Sequence, residues 1–239
     1  MKICAIIPVY NNAETVSDIV HRCRAVIEPD ILVVADGPTD GSEAQASDAG
    51  ADVISLPENM GKGRAITVGL VEAKERGYTH AIVLDADGQH LPEEIPKLYD
   101  AIGDFPERLL IGVREMDPDK TPKSSRRGRS ISNFWTTLNG WQRCRDAQCG
   151  FRVYPIEQVL ALGCKEPGFQ FEMEVLIRAS WAGIRFNHMD IDVVYPINGR
   201  VSHFDKKRDN LRFSWLSFKM FWGMLARLPV LTYRKISGV

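Results

Sequence analysis

Two acidic residues at alternate positions end an apolar run near the middle of the chain. Asp85 and Asp87 follow Val83 and Leu84, and Gln89 continues the alternation in the motif DADGQH. Two carboxylates and an amide oxygen form the hard, all-oxygen donor set that Mg²⁺ or Mn²⁺ prefers, and such sites leave further positions for substrate phosphates. The motif therefore predicts a divalent metal site, with two acids that cap the following helix as the alternative.

Two other loops place polar residues after apolar runs. In VVADGPTDGS, the Asp36 carboxylate could accept hydrogen bonds from a nucleobase or ribose. The alternative is turn chemistry, which suits Asp40 better than Asp36. In ENMGKGRA, glycines let the backbone approach a ligand at a helix start beside Lys62, which is a weak phosphate-binding signal on its own.

These loops need a sheet that brings them to one edge. Runs rich in Ile, Val and Leu predict strands at ICAIIPV, DILVVAD, ADVISL, HAIVLD and RLLIGV. Apolar residues at spacings of three and four predict helices in AETVSDIVHRCRAVI, GRAITVGLVEAKERG and LPEEIPKLYDAI. This alternation predicts an α/β fold whose mostly parallel central sheet is flanked by helices, with ligands bound at the carboxyl ends of the strands. Residues 114–130 are predicted to form a basic loop that leads into a helix.

The length and composition fit one main domain with an appendage. The chain has 239 residues, of which 44% are hydrophobic, which is enough for a sizeable core. We predict a main domain at 1–204 and a basic, amphipathic C-terminal segment at 205–239. The five cysteines are odd in number and form no CxxC pair, so we expect reduced thiols, a cytoplasmic setting and no zinc site. No apolar run reaches the roughly 18 residues of a membrane-spanning helix.

The net charge of −1 conceals two basic regions. Residues 120–145 contain seven Lys or Arg and no acid, and residues 205–235 contain eight against two acids. Basic patches on an otherwise acidic chain suggest an anionic ligand or surface, although ordinary solvated faces are the alternative for either patch. Because the aromatic strand signatures of nucleic-acid-binding domains are missing, we do not predict a nucleic acid partner.

The C-terminal segment has an aromatic stripe at helical spacing. Its members are Leu211, Trp215, Phe218, Phe221 or Trp222, Leu225 and Leu228. Bases lie before, within and beyond the stripe. A helix with an aromatic face and a basic face can lie in the interface of an anionic membrane. The alternatives are that the stripe packs on the main domain or forms a homodimer.

Taken together, the loops resemble those of the family 2 glycosyltransferases, which have the GT-A fold. The matching segments occur in the expected order over roughly residues 3–195, and they are IIPVYNNAETV, VVADGPTDGS, NMGKGRAI, VLDADGQH, DAQCGFRVY and FQFEMEVLIRA. The order and number of matches are far more specific than any single motif. DADGQH and the DAQCGFR run make the dolichyl- and polyprenyl-phosphate sugar transferases the most similar members.

The resemblance implies a nucleotide-sugar donor and an inverting transfer of a hexose. Pro8, Tyr10 and Asp36 would surround the base and ribose. Asp85, Asp87 and Gln89 would hold the Mg²⁺ or Mn²⁺ that bridges the diphosphate and stabilises its charge as it leaves. Asn11, Asn12 and Ala35 stand where the family often has acids, so the choice between UDP and GDP stays open.

The acceptor decides whether a base is needed. A hydroxyl acceptor requires a carboxylate base, for which Glu172, Glu174 and Asp146 are candidates. Glu172 and Glu174 are two apart and cannot share a helix face, and we favour Glu172. A lipid-phosphate acceptor needs no base, and arginines would clamp its phosphate. The clamp candidates are Arg114, Arg126, Arg127 and Arg129, with His203 as a further phosphate or metal ligand and Arg152 as a further clamp or a partner of a core acid.

Two other functions compete with a peripheral membrane glycosyltransferase. A phosphatase of the haloacid-dehalogenase type would use DADG for its aspartyl nucleophile, but that motif usually ends the first strand, and here three strands precede it. A catalytically inactive nucleotide-sugar-binding protein is the other alternative, and the intact metal motif argues against it.

Overall fold

The computed structural model describes residues 1–26, 30–115, 121, 123–194 and 206–237. Seven strands are present in these ranges: β1 (Ile3–Val9), β2 (Asp30–Asp36), β3 (Asp52–Leu56), β4 (His80–Val83), β5 (Leu109–Arg114), β6 (Arg152–Pro155) and β7 (Phe186–Ile191). The α-helices there are α1 (Val16–Val26), α2 (Ser42–Asp48), α3 (Lys62–Glu75), α4 (Ile95–Asp104), α5 (Lys123–Gly140), α6 (Ile156–Ala161), α7 (Phe171–Ala182) and α8 (Lys206–Ser237). A 3₁₀ turn at Pro92–Glu94 precedes α4.

The strands form one sheet in the order β3-β2-β1-β4-β6-β5-β7. All neighbours are parallel except β6, which runs antiparallel to both β4 and β5. β1 and β4 are buried along their whole lengths, as expected for strands covered on both faces. The predicted α/β fold with a mostly parallel sheet is confirmed, whereas the sequence did not predict the reversed direction of β6.

Helices cover both faces of the sheet. α1, α2 and α4 pack over one face through a core that includes Ile19, Ala46 and Leu98. α3, α6 and α7 pack over the other face through residues such as Leu70 and Val175. These six helices therefore bury apolar residues against the sheet, and the loops between the elements are left to form a site.

α8 adds an outer layer beyond α7. Leu216 and Met220 pack against Met173 and Ile177 of α7, with Trp135 of α5 beside them. The predicted aromatic stripe is not the buried face of this helix. Its best exposed members point away from the domain: Leu211 (72% exposed), Trp215 (68%), Phe218 (54%) and Trp222 (58%). The helix thus has two apolar faces, and only one has a partner within the described residues.

Two predicted segments differ from the structure or fall outside its described residues. Residues 114–130 are not all loop, because α5 already begins at Lys123. The predicted domain boundary between 204 and 205 lies outside the described residues. No helix in the described ranges is both long enough and apolar enough to cross a membrane.

Candidate functional site

The parallel strands bring their carboxyl ends together. β1 pairs with β2 as far as Val9 and Ala35, and β4 ends at Val83, which pairs with Ile6 of β1. The loops that follow β1, β2 and β4 therefore start from neighbouring points on one edge of the sheet. This is the edge at which ligands bind in open α/β sheets.

The loop after β1 is fastened to the loop after β2. Asn11 has a left-handed backbone conformation (φ 50°), which asparagine tolerates better than most residues. Its side-chain oxygen accepts a hydrogen bond from the Thr39 amide at 2.8 Å. Asp40 accepts hydrogen bonds from the Ala13 amide at 2.8 Å and the Ser42 amide at 3.0 Å, which is turn chemistry. Asn11, which replaces one of the expected acids, thus holds this corner together through its side chain.

The residues predicted to contact the donor base lie beside this corner. Pro8 is a buried residue of β1, and Tyr10 follows that strand and is half-buried. Asp36 ends β2 and is only 3% exposed. Its carboxylate accepts hydrogen bonds from the amides of Met60 at 2.7 Å and Gly61 at 2.9 Å. Asp36 therefore ties the end of β2 to the loop that begins α3.

Three charged side chains meet at the centre of the edge. Lys62 Nζ lies 2.5 Å from Asp85 Oδ1 and 2.5 Å from Glu172 Oε1. The three groups come from the start of α3, the loop after β4 and the first turn of α7. Burial disfavours the charged amine, yet Asp85 and Glu172 outweigh it and raise the pKa of Lys62 above its usual value. The ammonium group is therefore charged and shared by two carboxylates.

Glycines allow α3 to approach α7 closely enough for this arrangement. Gly61 has φ 97°, and a Cβ there would lie 2.5 Å from the Pro167 carbonyl oxygen. A Cβ at Gly63 would overlap the side chain of Phe171. The Arg64 amide donates to the same Pro167 oxygen at 3.0 Å. The glycines of NMGKG thus serve the contact between two helix N-termini.

The metal motif forms a tight turn after β4. The Gln89 amide donates to Asp87 Oδ1 at 3.0 Å, and Gly88 is left-handed at φ 73°. Asp85 and Asp87 are half-buried, whereas Gln89 is only 4% exposed. No three His, Cys, Asp or Glu side chains cluster as metal ligands in the part of the chain that the structure describes. Two carboxylates nevertheless suit a cation that takes its other ligands from a diphosphate and water.

His90 fixes this turn, although no role was predicted for it from the sequence. Its Nδ1 accepts a hydrogen bond from the Asp85 amide at 3.2 Å. Its Nε2 lies 3.7 Å from Cys149 Sγ, and its ring lies 5.4 Å from that of Phe151. Burial lowers the pKa of His90 although Asp85 and Asp87 oppose this, so the ring is neutral near pH 7. It joins the metal motif to the loop before β6.

The loop before β6 closes the site from the other side. A Cβ at Gly150 would lie 2.7 Å from both Asp85 carboxylate oxygens and 2.8 Å from Lys62 Nζ. Arg152 is fully buried and donates to the carbonyl oxygens of Cys149 at 2.7 Å, Ala147 at 2.9 Å and Glu172 at 2.7 Å. Arg152 therefore shapes this loop and joins it to α7, rather than pairing with a core acid.

Asp146, a candidate base, is held by arginines. Arg114 Nε and Nη2 donate to its two oxygens at 2.8 and 2.9 Å, and Arg129 Nη1 lies 3.6 Å away. Burial opposes ionisation, but the Arg114 charge outweighs it and the pKa of Asp146 lies below its usual value. Arg129 also donates to the carbonyl oxygens of Arg114 and Arg145. Two of the predicted clamp arginines are therefore engaged with this buried acid and nearby backbone.

The two other candidate bases face different ways. Glu172 is at the site with Lys62, whereas Glu174 accepts hydrogen bonds from the amides of Lys165 and Glu166, both at 2.8 Å. Arg178 Nε also donates to Glu174 at 2.7 Å. Glu174 thus anchors the chain before α7 and is not available to a substrate.

The remaining clamp candidates occupy the first turns of α5. Arg126 is half-buried and Arg127 is exposed. Ile131 and Phe134, four and seven residues after Arg127 on the same helix face, are 50% and 59% exposed. His203 lies outside the described residues.

Comparison with known proteins identifies the family of this chain. The sequence profile described as "Glycosyl transferase family 2" matches residues 4–164. The polyprenol monophosphomannose synthase of Mycolicibacterium smegmatis is 33% identical over 190 residues, which are 73% of this chain and 70% of that protein. The undecaprenyl-phosphate mannosyltransferase of Micrococcus luteus is 29% identical over 206 residues, which are 81% of this chain and 84% of that protein.

Solved structures share the fold. The glucosyl-3-phosphoglycerate synthase of Mycobacterium tuberculosis, crystallised with Mn²⁺, UDP and phosphoglyceric acid, superposes with a TM-score of 0.69 at 18% identity. The match covers 93% of this chain and 78% of that one. The match to the family 2 profile contradicts the phosphatase alternative. The chain belongs to glycosyltransferase family 2, has the GT-A fold and is a glycosyltransferase.

Proposed function

We propose that the protein transfers a hexose, with inversion, from UDP- or GDP-sugar to a polyprenyl-phosphate-like lipid at the cytoplasmic face of a membrane. The observation that carries this proposal is the charged group at the edge of the sheet. Asp85 and Glu172 converge on Lys62, with the Asp87 turn directly after Asp85 and the basic start of α5 later in the chain. The names of the two mannosyltransferase relatives support the lipid-phosphate class of acceptor.

The residues around the β4 loop fit a divalent cation and a diphosphate. Asp85 and Asp87, with the side-chain amide oxygen of Gln89, would hold Mg²⁺ or Mn²⁺, and the bound cation would neutralise the nucleoside diphosphate as it leaves. Pro8, Tyr10 and Asp36 would line the base and ribose. The Mn²⁺ and UDP bound by the M. tuberculosis synthase, which has the same fold, support this assignment.

The acceptor phosphate fits the start of α5. Because Arg114 and Arg129 bind Asp146 and backbone carbonyls, we assign the phosphate to Arg126 and Arg127. The exposed Ile131 and Phe134 on the same helix would contact the lipid chain. A phosphate oxygen is already ionised, so this reaction needs no base, and Glu172 then positions Lys62 instead. With a hydroxyl acceptor, Glu172 would be the base.

The exposed face of α8 would place the enzyme on the membrane. Its aromatic residues form a continuous row, with ring centroids of Trp215 and Phe218 5.9 Å apart and those of Phe218 and Trp222 6.1 Å apart. Arg212 and Lys219 lie along one flank of this row, and more bases occur at both ends of the helix sequence. Such a combination favours the interface of an anionic bilayer.

A transfer assay tests the proposal. Purified protein with Mn²⁺ and polyprenyl phosphate should move labelled hexose from one of a panel of UDP- and GDP-sugars into the lipid fraction. Asp87→Ala should lower this transfer at least about 100-fold, since the cation stabilises the leaving diphosphate. The exposed Asp190→Asn serves as the control. No transfer from any donor would favour the alternative of a catalytically inactive binding protein. Full activity of Asp87→Ala would contradict the proposed metal site.

A further inference from the structure

The position of the Lys62 ammonium group bears on how the cation enters. The side chains of Lys62, Asp85 and Glu172 are 14%, 17% and 6% exposed. Lys62 is the first residue of α3, and that helix end is held against the loop before α7 by Gly61 and Gly63. The backbone of Lys62 is therefore held where its ammonium group can reach both carboxylates, while the side chain itself can still move.

The space around Asp85 is small. The backbone at Gly150 packs so closely that even a Cβ would lie 2.7 Å from both Asp85 oxygens and 2.8 Å from Lys62 Nζ. A magnesium ion binds a carboxylate oxygen at about 2.0–2.1 Å and keeps several waters. A hydrated cation on Asp85 and an ammonium group 2.5 Å from the same carboxylate would compete for this space and repel each other.

We infer that Lys62 is a cation placeholder: its ammonium group offsets part of the negative charge of Asp85 and Glu172 before the metal binds and withdraws from Asp85 when the metal arrives. The inference rests on the proposed function, and it adds a rule for the order of binding. A cation alone gains less, because it must displace an ammonium group that already offsets part of the carboxylate charge. A cation that arrives with a nucleoside diphosphate gains the phosphate ligands as well. Lys62 thus couples metal binding to donor binding.

Metal affinity without a nucleotide tests this inference. Free Mn²⁺ is measured by electron paramagnetic resonance during titration of the wild type and its variants. Lys62→Met and Lys62→Gln should bind Mn²⁺ at least about tenfold more tightly, because two carboxylates lose their counter-charge. Lys62→Arg keeps the charge and should stay within about threefold of the wild type. Lys74→Met removes a charge from an exposed pair on the same helix and should have no effect.

The outcomes separate this inference from the proposed function. Unchanged or weaker Mn²⁺ affinity in the neutral Lys62 variants overturns the placeholder, even if the wild type transfers sugar. Absence of sugar transfer by the wild type overturns the proposed function, whatever the metal titration shows.

A second measurement uses the wild type, in case the neutral variants fold poorly. The lysine ammonium signals are followed by nuclear magnetic resonance, and Lys62 is assigned as the signal missing from Lys62→Arg. Adding Mg²⁺ with UDP and with GDP should shift the Lys62 signal while leaving that of Lys74 in place. A Lys62 signal that stays unchanged while the nucleotide binds contradicts the inference.

Discussion

At the scale of single residues, two Asp–Arg ion pairs differ greatly in how much they contribute to stability, because one is buried and the other is exposed. Asp146 and Arg114 form a pair whose side chains are 0% and 10% exposed, whereas Asp190 and Arg145 form one with 73% and 38%. The N···O distances are similar, at 2.8 and 2.6 Å. Solvent screens the second pair and leaves it worth little, while the first keeps two buried charges from being unpaired.

Asp146→Asn should therefore lower the free energy of unfolding by about 3–5 kcal/mol, because it leaves the Arg114 charge buried without its partner. Asp190→Asn, the matched exposed control, should cost about 0–1 kcal/mol. Urea unfolding at pH 7 measures both. Since the folded pKa of Asp146 is lowered, its contribution is present above the unfolded value of about 3.9 and is lost as the pH falls through the folded pKa. Equal costs for the two variants would contradict the assignment of Asp146 as a structural acid.

The sequence identified most of the residues that form the site, but it did not show which of them contact each other. Asp85, Glu172 and Lys62 were candidates from their motifs alone, and they meet. Asp146 and Arg114 were assigned to a base and a phosphate clamp, yet they bind each other. A salt bridge between residues 32 positions apart depends on how β5 and the loop before β6 pack, and no local pattern carries that information.

At the scale of elements, the site depends on two loops that interlock. The turn after β4 supplies Asp85, and the loop before β6 lays Gly150 against it. The alternation of strands and helices predicted where the β4 turn would lie, because periodicity is local. The reversal of β6 was not predictable in this way, since a strand of four residues shows the same pattern in either direction. The start of α5 was missed because its basic, serine-containing sequence resembles a loop.

Gly150→Ala should lower sugar transfer at least about 100-fold with little change in the free energy of unfolding. The added methyl group would displace the Asp85 carboxylate and the Lys62 ammonium group, and misplacement of this size is costly in an active site. Gly103→Ala is the matched control, because nothing lies within 4 Å of a Cβ there, and α4 should gain about 0.5–1 kcal/mol. The initial rate of transfer and the urea midpoint separate the two effects. A fully active Gly150→Ala enzyme would show that the loop does not close on the reacting groups.

At the scale of the whole molecule, α8 both packs on the domain and carries the proposed membrane-binding face. Its inner face, with Leu216 and Met220, forms a core with Met173 and Ile177 of α7, so this helix packs on the domain. The sequence showed the aromatic stripe but not which stripe is buried, because Leu216, Met220, Met224 and Leu231 repeat at the same helical spacing. Deleting α8 would expose Met173 and Ile177, and the loss of membrane binding could then not be separated from unfolding.

Point substitutions on the outer face avoid this problem. The triple variant Trp215→Ser, Phe218→Ser, Trp222→Ser should bind anionic liposomes at least about tenfold more weakly, because each aromatic side chain loses apolar area that the bilayer would bury. Its stability should change by less than about 0.5 kcal/mol per exposed site. Co-sedimentation with phosphatidylserine vesicles measures binding, and chromatography measures the oligomeric state. The control replaces Val71 and Tyr99, exposed apolar residues of α3 and α4, with serine. Unchanged liposome binding by the triple variant would contradict the membrane assignment. Conversion of a dimer to a monomer would assign this face to a second copy of the chain.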